Sequence, residues 1–145
     1  MSTRTRCLAF LSGTLAIFCS WHIAYADTAP CDLLTQTQVS HAVGVSVTAG
    51  APIATTGCSW TSTGKTNLTV TVSMQSDRMF EGAKRGATTP VSGVGDEAFF
   101  TGVQNFSSLW VRKGSKYLLV RIYGLSVAEA QPKLKDLATT ALSKL

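Results

Sequence analysis

Residues 106–123 restrict the fold more than any other stretch of the chain. Two eight-residue runs, Phe106 to Lys113 and Lys116 to Tyr123, are separated only by Gly114-Ser115. That pair suits a two-residue type II′ turn, whose first position needs the positive φ that glycine adopts without strain. A turn of fixed length also fixes the register. Leu109 then faces Val120 and Val111 faces Leu118 on one side of the hairpin. Trp110 faces Leu119 and Arg112 faces Tyr117 on the other side, which Arg121 and Tyr123 share. Residues 67–75 add the clearest single strand. Leu68, Val70, Val72 and Met74 point one way and Thr69, Thr71 and Ser73 the other, a period of two that needs one buried and one wet face. Residues 57–62, with Cys58 and Trp60 on one face, and 97–101, led by Ala98 and Phe99-Phe100, read as further strands. Residues 45–53 are ambiguous: Val45 and Val47 alternate with polar neighbours, and Gly50 with Pro52 breaks the pattern. Residues 88–95 read as loop.

Three helices complete the pattern. Thr35 with Gln38 makes a capping box, Leu34 and Val39 a hydrophobic staple, and Gly44 a left-handed stop. A middle helix spans about 77–86, with Asp77 as its cap, Met79, Phe80 and Ala83 as its apolar contacts, and Lys84 and Arg85 in its last turn. A terminal helix runs from about Val127 to Lys144, capped by Ser126 with Glu129. Leu134, Leu137, Ala138, Ala141 and Leu142 fall at helical spacing, and Pro132 either kinks or starts the helix. Helix, strands, helix, strands, helix argues for an α+β fold: an antiparallel sheet of about five or six strands with N-terminal, middle and C-terminal helices packed against it.

The first 26 residues have the form of a signal peptide. Arg4 and Arg6 supply a positive start, an apolar stretch runs from about Cys7 to Cys19, and Ala24-Tyr25-Ala26 offers small residues at the cleavage positions. The apolar run falls short of the roughly 20 residues of a membrane span. The expected product is residues 27–145, one exported domain, periplasmic or secreted, with no transmembrane anchor after cleavage. Loss of Arg4 and Arg6 lowers the net charge from +5 to +3, eleven basic side chains against eight acidic. That is far from the dense cationic footprint of a nucleic-acid binder. Cys31 and Cys58 alone remain, so one intramolecular bridge is possible in an oxidising compartment. It would close a loop of about 28 residues, worth about 3.5 kcal/mol in the chain-entropy model. A redox pair or metal site is the sharper alternative, but Cys-x-x-Cys spacing and further ligands are missing.

Cys31-Asp32-Leu33-Leu34-Thr35, Gly57-Cys58-Ser59-Trp60 and Val91-Ser92-Gly93-Val94-Gly95-Asp96-Glu97-Ala98 occur in that order, ahead of the hairpin and an apolar helix. Together they resemble a family of small exported bacterial domains of unknown function, common among actinobacterial lipoproteins and secreted proteins. The resemblance implies no established activity and no catalytic residues, and it suggests that Cys31 and Cys58 are paired. This chain departs from the family's frequent lipobox: Cys19 follows Phe18, too bulky for a lipidation signal.

Candidate chemistry is sparse. His41 is the one histidine of residues 27–145, in a short helix beside Ser40, and adjacent helical residues do not face each other. Asp96-Glu97, after the Gly93 and Gly95 turn, offers too few oxygen ligands for a calcium loop. The Ser/Thr face of residues 67–75 reads as a solvated sheet face. The second face of the hairpin is the most suggestive feature. Trp110, Arg112, Tyr117 and Arg121 gather aromatics and cations there, a platform for sugars, peptides or an acidic partner unless a helix covers them; the terminal helix, which must bury its leucines, is the expected cover. The expectation is therefore a non-enzymatic binding or interaction module of the cell envelope, without cofactor or metal, whose partner is an envelope protein or cell-wall component. Two alternatives stand beside it: an envelope hydrolase built on His41, Asp96 and Glu97, or an inhibitor or immunity-type protein that blocks another exported enzyme.

Overall fold

A computed structural model describes residues 28–86 and 88–145; the signal-peptide reading of 1–26, with its cleavage position and Cys7 and Cys19, lies outside the described residues. A short 3₁₀ turn, η1 (Pro30–Asp32), leads into α1 (Gln36–Val43). There follow β1 (Ala51–Ile53), β2 (Gly57–Thr61), β3 (Thr69–Gln75), α2 (Asp77–Lys84), β4 (Thr89–Val91), β5 (Glu97–Val103), β6 (Phe106–Lys113), β7 (Lys116–Tyr123) and α3 (Val127–Leu142). All strand pairings are antiparallel, in the order β1-β2-β3-β7-β6-β5-β4. The fold is α+β as expected. Its seven strands exceed five or six because two three-residue edge strands, β1 and β4, form where the sequence shows a broken pattern and a loop. Each has a proline at its centre, Pro52 and Pro90, which sheets accept at an edge because one side of the strand has no ladder to feed.

The hairpin follows its turn. Leu109 pairs with Val120, Val111 with Leu118, Trp110 with Leu119 and Arg112 with Tyr117. Gly114 has φ +58°, and Asp96 Oδ2 accepts its backbone N–H at 2.6 Å. Gly95, at φ +63°, lies so close to β6 that a Cβ there would meet Arg112 O at 2.5 Å; this approach lets the Asp96 N–H donate to Arg112 O.

The caps of α1 and α3 form as read: Thr35 with Gln38, and Ser126 with Glu129. Gly44 ends α1 at φ +78°. The middle helix differs by one residue. Ser76 caps it through the Met79 N–H, and Asp77 sits in its first turn beside the positive end of the helix dipole. Met79, expected as an apolar contact, is 55 % exposed, while Phe80 is fully buried. Pro132 lies inside α3, which begins at Val127, so the proline neither starts the helix nor marks its boundary.

One face of the sheet carries the main core. Val70, Val72, Cys58, Trp60, Leu109, Val111, Leu118, Val120 and Ile122 pack with Val39 and Val43 of α1 and with Leu134, Leu137, Ala138 and Leu142 of α3. Each fully buried leucine of this set contributes about 1.5–3 kcal/mol. α3 lies across β6 and β7, and α1 packs against α3, where Lys133 Nζ donates to Ala42 O at the negative end of α1. The Cys31–Cys58 disulfide joins η1 to β2. α3 thus fills the face opposite the one its leucines were expected to cover.

Candidate functional site

The outer face of the sheet is built from cross-strand rows, because residues opposed in an antiparallel pair point the same way. The first row is Gln75, Tyr117, Arg112 and Glu97; the second is Ser73, Leu119, Trp110 and Phe99. α2 lies over these two. Phe80 enters between Phe99 and Tyr117, with ring centroids 5.0 and 5.3 Å away, and Trp110 stacks on Phe99 at 6.2 Å. Phe80, Phe99, Trp110 and Leu119 form a second, smaller apolar cluster. Polar clasps hold both ends of α2. The Tyr117 hydroxyl donates to Asp77 Oδ1 at 2.7 Å, and Glu97 bridges Lys84 and Arg112, the latter at 3.1 Å. Hydrogen bonding to Lys84 holds the Glu97 carboxyl below the usual carboxylate range, and the same bond raises Lys84. The bond to Asp77, reinforced by partial desolvation, raises the Tyr117 phenol.

The four expected binding residues therefore meet different fates. Trp110 is 5 % exposed and its indole N–H donates to Thr101 Oγ1 at 3.3 Å. Arg112 is engaged by Glu97 and Tyr117 by Asp77. Arg121 alone lies beyond α2, and it forms no ion pair among the described residues. It is the centre of the third row: Ser59, Thr71, Arg121, Ser108 and Thr101, one residue from each of β2, β3, β7, β6 and β5. The row spans about 19 Å at ordinary strand spacing. Arg121 is half-buried, and its guanidinium carbon sits 5.8 Å from the centre of the Phe106 ring. Its Nε and the hydroxyl of Ser108, directly opposite, are both buried without a hydrogen-bond partner among the described residues. The fourth row, Thr61, Thr69, Tyr123, Phe106 and Val103, puts an aromatic pair beside the arginine, with centroids 4.7 Å apart. Tyr123 is 42 % exposed.

Thr71 belongs to a strand face legible in the sequence as polar. Ser108, Phe106 and Thr101 escaped notice as site residues, although the hairpin register was enough to place the first two beside Arg121. What the sequence does not show is that α2 would cover the other half of the face.

The residues of the hydrolase alternative lie apart in role. His41, exposed on α1, lines a groove of about 610 Å³ with Asp136 and Thr140 of α3. Asp96 braces the hairpin turn, Glu97 clasps α2, and both line a different cavity, beside Pro90 and Gly93. Among the described residues no group of three His, Cys, Asp or Glu side chains is placed to hold a metal ion, and no helix is long and apolar enough to cross a membrane. No protein-family model, curated protein or solved structure matches the chain.

Proposed function

We propose that the protein is an exported, non-enzymatic binding module of the bacterial cell envelope, and that it takes its ligand on the open half of the outer sheet face. One observation carries this reading: Arg121, a permanent cation, stands at the middle of the sheet's third row and forms no ion pair among the described residues, with the hydroxyl residues Thr71 and Ser108 opposite it on the neighbouring strands. A buried or half-buried cation without a counter-charge is costly to keep. A ligand that brings acceptors to this row offsets that cost. Export is supported by the leader-like first 26 residues and by a disulfide of the kind that persists in oxidising compartments.

The test is co-sedimentation of the oxidised protein with isolated envelope fragments. Arg121→Met is expected to lower retention at least about tenfold, since hydrogen bonds to a charged group contribute about 1.5–3 kcal/mol, and Tyr123→Ala to lower it measurably through loss of an exposed aromatic contact. Retention equal to wild type in both variants, with far-UV circular dichroism unchanged, overturns this surface. Intact mass checks the compartment independently: loss of residues 1–26 and of two hydrogens is the expected result.

A further inference from the structure

We infer that the ligand of this face is a carboxylate-bearing polysaccharide, a polymer of uronic-acid type, laid along the row from Ser59 to Thr101. The inference rests on the open outer face being the binding surface. Three features converge on this chemistry. The row supplies three partly exposed hydroxyls, in Ser59, Thr71 and Thr101, each both donor and acceptor, while Ser108 is buried beneath the surface. Such a row matches a partner that itself carries hydroxyls at regular intervals. Its extent of about 19 Å suits an extended chain better than a single small molecule. The second feature is the lone cation. A guanidinium pairs with a planar carboxylate through two parallel hydrogen bonds, an acceptor geometry that a neutral sugar hydroxyl does not offer. No acidic residue occupies the third or fourth row. The third feature is the Phe106–Tyr123 pair along one side. It gives a sugar ring an apolar, partly exposed edge to lie on, with Val103 exposed beyond it. Phe106 meanwhile fixes Arg121 from the side, which keeps the guanidinium in place before a ligand arrives.

The experiment is isothermal titration with three purified polymers: polygalacturonate, a neutral dextran and a phosphate-bearing teichoic acid. Wild-type protein is expected to bind polygalacturonate, with affinity falling as salt rises. Arg121→Met is expected to lose at least about tenfold in affinity, and Arg121→Lys to lie between, because the charge stays but the paired geometry goes. Tyr123→Ala, at an exposed position, is a second weakening variant should Arg121→Met fold poorly. Equal binding of dextran, or binding of teichoic acid alone, overturns the carboxylate assignment. Failure of all three polymers, while envelope retention still depends on Arg121, overturns the polysaccharide inference and leaves the binding-module reading intact. Failure of both removes both.

Discussion

At the scale of single residues, the same side-chain type takes opposite roles according to its row. Arg112 and Arg121 sit on one face of one hairpin, yet one is paired with Glu97 and the other forms no ion pair among the described residues. The Lys84–Glu97–Arg112 clasp has a definite pH signature. Glu97 is held below its ordinary range, so its contribution is full above the unfolded carboxylate value and is lost as pH falls through the lowered folded one. Lys84 is raised, so its share is full below its unfolded value and is lost only as pH rises through the raised folded one. Between these limits the clasp is intact. Exposed pairs of this kind contribute little, so the prediction concerns slope and not size. In urea titrations from about pH 7 down to about pH 3, a range that crosses the carboxylate pKa values, the stability gap between wild type and Glu97→Gln should shrink toward acid. A gap independent of pH would show that the bridge does not contribute.

At the scale of elements, α2 is the piece whose attachment matters most. It buries one large side chain, Phe80, and is otherwise tied by polar groups at its ends. α3, in contrast, buries Ala130, Leu134, Leu137, Ala138, Ala141 and Leu142. Phe80→Ala should therefore cost up to about 3–5 kcal/mol and act locally first. Hydrogen exchange should show the α2 amides losing protection while those of α3 keep theirs, and Trp110 emission should shift to the red as its cover leaves. Uniform loss of protection across both helices would refute a locally attached α2. The edges of the sheet are managed by the same economy of small pieces. β1 and β4 are each three residues long with a central proline, which limits what another strand can pair with.

At the scale of the molecule, η1, the end of α3 and the sheet are tied together. Cys31–Cys58 links the segment before α1 to β2, and Lys144 Nζ donates to Asp32 O at 2.8 Å, bringing the last helix to the same place. Reducing the disulfide, or replacing both cysteines with serine, should lower stability by about 3.5 kcal/mol in the chain-entropy model. The urea midpoint with and without reductant measures this, and an unchanged midpoint would show that the bridge constrains nothing that folding must order. The Arg121, Ser108 and Tyr123 part of the outer face should survive mild reduction, since these residues lie on β6 and β7, whereas Ser59 of the same row adjoins bridged Cys58.

Hairpin register, helix caps, the alternation of β3 and the availability of one disulfide were legible in the amino-acid sequence. Each depends on a turn, a cap or a period acting over a few residues. The chain order alone also implied an α+β fold. The assignment of helices to faces was not legible, because α2 and α3 are both amphipathic and either can pack on a half-buried sheet. Packing across the whole chain put α3 on the face of Leu109 and Val120 and left the shorter α2 to cover only the Trp110 end of the other. That long-range choice buried Trp110, engaged Arg112 and Tyr117, and left Arg121 beyond α2, half-buried and without an ion pair among the described residues.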